Sequence, residues 1–438
     1  MVAPALSDEL FLNWEGYEEQ LGEAEFHWAQ RERQLDSPEY RLAQLREREE
    51  RLLASEDMLV LGGAPVASRL LVLALESETP ARIAAATHAL LVERAPGVEE
   101  ALLNALEGEA EGVLPAMASA MKLVDLRALP SGLPRLLATP STALQATVLE
   151  VLGAHGAVPP ETALSLLEHE DSRLVAAALR VLAQAAKPPP PSRQVLERLL
   201  AASEPEVRDG ALEWGLVSGH RAAWAVCAAL LSTPNARLPR LLWALGADEK
   251  EVLKLVALLD NADIRPDALW ALGFSGWKVA MEACVPWMSD EAAALAGEAF
   301  SAMTGLRLEG RYTSPRTEDA ATVLDENPEA DLRRRMEELL PLPDSQAVAD
   351  WWRENHPRFS AGQRYLQGSP WAANTLLDAL ETTPLRRRHA LALDATLRSR
   401  GAVRIPTRAW VHQQVAALRA ARALGPRALS RPFTEGLS

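Results

Sequence analysis

RLLWALGADE, from Arg240 to Glu249, and DALWALGFSG, from Asp267 to Gly276, nearly repeat each other. A Trp-Ala-Leu-Gly unit that returns after one helical hairpin's worth of chain predicts a repeat protein, in which each hairpin packs on its neighbours. Aligning on the leucine of that unit extends the series. Leu90, Met121, Leu149, Leu179, Leu212, Leu242, Leu269 and Ala299 take the same place in successive second helices. From Leu149 onward the steps are 30, 33, 30, 27 and 30 residues. That is too short for the tetratricopeptide unit of about 34 residues, whose aromatic and Pro pattern is also missing, and it suits compact HEAT-like hairpins slightly below their usual ~40. About eight hairpins fit between Val66 and Gly305.

Each unit has the same grammar. A short helix carries leucines, as in LPRLLA, ALSLLE, VLERLL and VLKLVALL. Polar turns follow, such as HEDS after Glu168 and STPN at Ser232, whose side chains are expected to bond the free amides that open the next helix. The second helix then ends at Gly156, Gly219, Gly276 or Gly305, where a left-handed terminus needs no side chain. Four prolines after Lys187 lengthen one loop without breaking the register.

Composition agrees. Ala, Leu, Glu and Arg dominate the 438 residues, Tyr is rare, and strict apolar alternation is absent, so helix is expected throughout. The expected fold is therefore all-α: a HEAT-like α-solenoid at 64–305, a helical arm or cap at 1–63, a crossing segment at 306–346, and an all-helical, Arg-rich C-terminal domain at 347–438. The net charge of −15 is unevenly spread: residues 1–60 hold 15 acidic and 6 basic groups, whereas 384–438 hold 11 Arg against Asp394 and Glu435. An acidic body repels phosphate backbones, which makes nucleic-acid binding by the repeats unfavourable and leaves it open only for the tail. Cys227 and Cys284 both sit in apolar helical context, the setting of buried structural thiols. No signal peptide and no stretch of ~20 apolar residues is evident, so a cytoplasmic protein without membrane insertion is expected.

In the arm, Leu10, Trp14, Tyr17, Leu21, Ala24 and Trp28 form one seam beside an acidic face, Ser37-Pro38 breaks the helix, and Leu42, Leu45, Leu52 and Leu59 face inward on a second helix. The pair either caps the first repeat or offers an oligomerisation or partner seam. In the repeat alignment, the position after the leucine holds Glu150, Arg180 and Glu213, then Trp243, Trp270 and Phe300, with Trp214 one place further on. Aromatics at a solvent-prone position are either covered by another part of the chain, most plausibly its C-terminal region, or open as anchors for a protein partner. The segment 306–346 carries Pro315, Pro328, Pro341 and Pro343 and one short helix. Val348 to Trp371 follows, the densest aromatic and basic stretch, with Trp351, Trp352, His356, Arg364 and Tyr365. Arg386, Arg387 and Arg388 read as a solvated helix start or as ion-pair partners of the acidic body, or else as a binding surface for acidic protein or nucleic acid.

No phosphate loop, nucleophile elbow, dinucleotide fingerprint or paired Cys motif occurs. His169-Glu170 is a single pair, whereas one HEAT-repeat metalloenzyme class binds iron with repeated His-Glu pairs; one pair does not complete a metal shell. No metal, cofactor or catalytic residue is therefore expected.

HWAQRERQLDSPEYRLAQLREREERLLASEDMLVLGG, acidic HEAT-like repeats, GEAFSAMTG, RFSAGQRYLQGSP and PLRRRHALAL together resemble an uncharacterised family of bacterial HEAT-repeat proteins, over nearly the whole chain. Its most distinctive stretches are Gly297 to Gly305 and Arg358 to Pro370. Some members are encoded near type VI secretion spike and PAAR-like genes. The resemblance implies a cytoplasmic accessory or adaptor and carries over no catalytic residue. The leading expectation is a non-enzymatic protein-binding scaffold. The alternatives are an enzyme with a pocket near His356, Arg364 and Tyr365, or nucleic-acid binding by the Arg-rich tail.

Overall fold

The computed structural model describes residues 12–108, 112–315 and 336–438. Within them the fold is all-α, and the extended elements are a two-residue pair, Tyr365–Leu366 with Ser369–Pro370, and a bridge between Thr313 and Pro343. Leu10 of the expected seam, and Pro328 with the rest of 316–335, lie outside the described residues.

The chain forms two compact units. Within the described residues the first holds 12–35, 42–189 and 408–415, and the second holds 36–41, 190–407 and 416–438. The expected boundaries after 63, 305 and 346 are not where the compact bodies part. Instead the break falls between Pro189 and Pro190, inside the proline run that was expected only to lengthen a loop.

In the first unit, helices Trp14–Leu35 and Leu42–Leu61 pair with each other and lie on Pro80–Glu93. Their apolar seam is the reason: Leu21, Ala24, Trp28, Leu45, Leu52 and Leu59 are all buried. Pro80–Glu93, Val113–Met121, Thr142–Ala154 and Ser172–Gln184 then pack in succession, with Leu90, Met121, Leu149 and Leu179 in the core. In the second unit Pro205–Ser218, Arg237–Gly246, Arg265–Leu272 and Ala293–Thr304 do the same around Leu212, Leu242, Leu269 and Ala299. The aligned position is thus a core position in every hairpin.

The short period has a local cause. Several first helices tighten into 3-10 turns: Pro160–Ser165 continues as Leu166–Glu168, Leu253–Val256 as Ala257–Asp260, and Leu133–Ala138 is wholly 3-10. A 3-10 turn advances about 2.0 Å per residue against about 1.5 Å in an α-helix, so fewer residues cross the same length. Ser141, Asp171 and Ser192 accept amides at the starts of their helices, whereas the STPN turn makes no such cap and Asn235 takes a left-handed conformation instead. Gly156, Gly219, Gly276 and Gly305 all have positive φ, as a left-handed terminus requires.

The C-terminal region is not all-helical. The small hairpin lies between helices Ser345–Asn355 and Ala373–Thr382 and turns at Gln367 and Gly368 with φ of 53° and 78°; helices Leu385–Arg398 and Val411–Ala423 follow. Its backbone closes helix ends of the repeats: Gln367 and Gly368 N–H donate to Ala302 and Met303 carbonyls at 2.9 Å, and Tyr365 N–H donates to Gly276 at 2.8 Å. Gly305, with φ of +76°, lies so close that an added Cβ would sit 2.6 Å from the Gln367 oxygen. The stretches GEAFSAMTG and RFSAGQRYLQGSP are therefore two sides of one contact. Gly305→Ala combines a left-handed strain with a backbone clash and should cost ~3 kcal/mol. Urea unfolding reads this directly, and a midpoint equal to that of the unaltered protein contradicts the contact.

Candidate functional site

The aromatic column of the second unit is filled from within. Trp214 and Phe300 are fully buried, Trp243 is 2 % exposed and Trp270 is 8 % exposed. Trp243 stacks on Trp224 with centroids 4.4 Å apart and planes at 11°, and its indole N–H donates to the Glu251 carbonyl at 3.1 Å. The edge of Trp224 in turn meets Phe433 at 5.6 Å. The guanidinium carbons of Arg386 and Arg387 lie 4.6 and 5.2 Å from the Trp270 ring centre. Phe300 meets Trp351 and Trp352 edge-on at 5.8 and 5.5 Å. Of the two expectations for this column, cover by the C-terminal region describes Trp270 and Phe300, and an open partner groove at these rings does not fit. Trp243, Trp270 and Phe300, each at a position charged in earlier hairpins, each face a ring or a cation of their own chain.

The arginines expected at the C-terminal surface are interior groups. Arg386, Arg387 and Arg388 are 6, 3 and 0 % exposed. The last carbonyls of an α-helix lack partners within the helix and carry the negative end of its dipole. Arg364 satisfies such a group at Leu245, at 3.0 Å, and also donates to two carbonyls in the turn after helix Arg265–Leu272, Phe274 and Ser275, at 3.1 and 2.8 Å. Arg387 donates to Gly273 at 2.8 Å and faces Glu298 at 3.7 Å, while Arg386 faces Glu298 at 3.5 Å and Glu337 at 3.2 Å. Arg388 donates to Leu380 at 2.6 Å, and Arg400 to Leu216 at 2.6 Å. Burial pushes Arg364, Arg387 and Arg388 each down to about 10, still cationic at neutral pH.

His356 and Tyr365 do not converge with Arg364 on a reaction centre. His356 lies against Trp352 at 6.0 Å, and the Tyr365 hydroxyl accepts the Ser360 amide at 2.9 Å and donates to the Arg358 carbonyl at 3.4 Å. A cavity of about 300 Å³ lies in the first unit, apolar and lined by Leu126, Leu129, Pro134, Leu137 and Val158. His169 is used structurally, its Nδ1 accepting the Asp171 amide at 2.9 Å. Among the described residues no group of three or more His, Cys, Asp or Glu is placed to hold a metal ion, and no single helix is long and apolar enough to cross a membrane.

Two buried polar clusters carry no sequence signal. In the first unit Arg31 donates to Glu49 at 3.0 Å and to the Arg408 carbonyl at 2.8 Å, and the other Glu49 oxygen accepts the Val411 amide at 2.7 Å. Trp410 then packs edge-on against Trp28 and against His88, which bonds Glu56 at 2.7 Å. In the second unit Asp209 Oδ1 is buried without a hydrogen bond, 3.6 Å from Arg208. Burial raises its carboxyl from 3.8 to about 6, against the opposing pull of Arg208, and burial also pushes the thiol of Cys227 far up and that of Cys284 to about 12. Both thiols are therefore unreactive core groups.

No family model and no curated protein matches this chain. Similar solved structures include an engineered protein, at 16% identity over 84% of this chain and 95% of that one with a TM-score of 0.29. Escherichia coli YibA gives 16% identity over 69% and 99% with a TM-score of 0.30. Human deoxyhypusine hydroxylase in complex with glycerol gives 20% over 57% and 98% with a TM-score of 0.24. Overlap at this level is loose for chains of this length.

Arg364→Met leaves three carbonyls without their donor and should cost roughly 3–5 kcal/mol; unchanged thermal stability would refute the role. For Asp209 the folded carboxyl titrates above the unfolded one, so its stabilising protonated form is present below pH ~4 and lost as pH rises through ~6. Asp209→Asn should therefore gain stability on the order of 2 kcal/mol above pH ~6 and nothing below pH ~4, a difference that denaturation at the two pH values would reveal or deny.

Proposed function

We propose that the chain is a HEAT-like helical-repeat scaffold that acts by holding a protein partner. The observation that carries this reading is where apolar side chains stay exposed. Among the described residues, Phe26, Met58, Leu61, Leu73, Val92, Leu126 and Leu164 are the large exposed hydrophobics of the first unit, with Leu61 at 77% and Leu73 at 62%, against Leu253 and Leu424 in the second. Single exposed apolar groups are ordinary, but a concentration in one unit favours that unit as the partner surface. Trp243, Trp270 and Phe300 serve as interior support for the other unit. The repeat grammar supports HEAT-like stacking, and the commitment of Arg364, Arg386, Arg387 and Arg388 to internal acceptors supports a scaffold over an enzyme built around those residues. The family resemblance adds a candidate class of partner, cargo or spike proteins of a type VI secretion system.

The test is recovery of partners on the tagged, full-length chain expressed at native level. Leu61→Glu with Leu73→Glu should abolish recovery of a reproducible partner while thermal stability stays within ~0.5 kcal/mol, as expected of exposed positions. Equal recovery by this variant, or no reproducible partner on the unaltered chain, contradicts the proposal.

A further inference from the structure

Residues 431–438 rest on the second unit mainly through their backbone. Arg398 donates to the Arg431 carbonyl at 3.2 Å, and Arg400 to the Phe433 and Glu435 carbonyls at 3.1 and 3.4 Å. The Ser438 N–H donates to the Gly219 carbonyl at 2.9 Å and the Ser438 carbonyl accepts the Arg221 amide at 3.0 Å, the two-sided exchange by which one strand joins another. Of these eight residues Phe433 alone is buried, while Arg431, Pro432, Glu435, Gly436 and Ser438 are exposed. The Glu435 N–H donates to the Pro432 carbonyl at 3.1 Å, so Phe433 stands at the tip of a tight turn. Its ring fills a notch left by Gly246, where an added Cβ would collide with it and lie 2.9 Å from Trp224. It meets Trp224 edge-on at 5.6 Å, and the Thr434 hydroxyl donates to the Gly246 carbonyl at 3.4 Å. The segment 408–415 is held differently, by the buried side chains of Trp410, Val411 and Gln414.

The receiving side is shaped for this task. Arg400 has φ of 52°, in the left-handed region that residues with a side chain seldom adopt, and Gly401 follows at 85°. Its guanidinium also bonds the Leu216 carbonyl at 2.6 Å, so one side chain both closes a repeat helix and grips the segment. Backbone bonds that give affinity whatever the sequence, with a pocket that selects one side chain, are how folded proteins recognise peptides. We propose that Arg398, Arg400, Trp224, Gly246 and the backbone at 219–221 form a peptide-recognition site, filled here by the chain's own residues 431–438, and that it takes from a partner protein a segment presenting Phe in a Pro-Phe turn. The notch beside Gly246 selects the aromatic ring, and the donors around it ask only for carbonyls. The chain's own segment is a built-in competitor. It is tethered beside the site through the exposed Leu424 and through Gly425, with φ of 79°, so its effective concentration is high and a partner binds by displacing it. This surface belongs to the second unit and is independent of the exposed apolar side chains of the first.

The experiment uses the full chain and a fluorescein-labelled peptide of residues 430–438, SRPFTEGLS, whose binding is followed by anisotropy. Phe433→Ala weakens the tethered competitor, so this variant should bind the peptide about tenfold or more tightly than the unaltered chain does. A peptide with Ala in place of its Phe should not bind, and Gly246→Val, which fills the notch, should abolish binding by the Phe433→Ala chain. Thermal unfolding checks that each variant is folded. The unaltered chain supplies a readout that needs no substitution: excess peptide carrying azidophenylalanine at the anchor should photo-cross-link beside Trp224 and Gly246, and unlabelled peptide should suppress the cross-link. A folded Phe433→Ala chain that fails to bind the peptide overturns the site, as does equal binding with and without Gly246→Val. If Phe433→Ala does not fold, the cross-link decides, and its absence from the notch overturns the site. Concentration-dependent dimers of the unaltered chain that Phe433→Ala abolishes would give the site to a second copy and overturn the partner named here.

Discussion

A helix end leaves carbonyls without partners, and in this protein arginine repeatedly supplies the missing donors. Arg240 donates to Leu231, Arg265 to Leu259, Arg364 to Leu245, Phe274 and Ser275, Arg387 to Gly273, and Arg400 to Leu216. A guanidinium presents several N–H groups in one plane and is weakly hydrated, so it can serve more than one carbonyl while buried; an ammonium fits that task poorly. The ratio of 40 arginines to five lysines is the compositional trace of this use. Arg240 and Arg265 each also reach an aspartate one hairpin ahead, Asp267 and Asp290, so that the same side chain closes one helix and ties it to the next.

These bonds explain why the compact units ignore the order of the chain. Arg31 and Glu49 hold the backbone of Arg408 and Val411, which makes 408–415 part of the first unit. Ser37 and Tyr40 carbonyls accept the amides of Arg386 and Leu385, which makes 36–41 part of the second. Each unit therefore contains a short segment remote in sequence from its repeats. Removing residues after 305 would strip the first unit of Trp410 and expose the buried pair of Arg31 and Glu49, so a truncated chain is a poor reporter of what the repeats bind.

The all-α fold and its buried leucines were legible because their signals are local. The buried leucine series and the left-handed glycines depend on spacing and backbone geometry that a hairpin fixes by itself. For Trp243, Trp270 and Phe300 the sequence allowed cover by another part of the chain or an open groove; the groups that cover them were not legible, because they come largely from other parts of the chain. Arg386, Arg387 and Arg388 read as a solvated helix start, as ion-pair partners of the acidic body or as a binding surface; the ion pairs of Arg386 and Arg387 with Glu298 match the second of these, whereas the carbonyl acceptors of Arg387 and Arg388 leave no mark in a cation's sequence context. The turn at Gln367 and Gly368 lacks the Asn-Gly or Asp-Gly signature of a two-residue hairpin, so helix was expected there.

The aromatic column is an interior surface of the second unit, sealed by rings and by arginines bonded to backbone carbonyls. Hydroxyl-radical footprinting of the intact protein measures this at individual tryptophans. Trp243 and Trp270 should be oxidised as slowly as the buried Trp28 and Trp214, and more slowly than the partly exposed Trp351 and Trp371. Oxidation of Trp243 and Trp270 as fast as Trp351 and Trp371 would mean that the column is open, and would contradict the account.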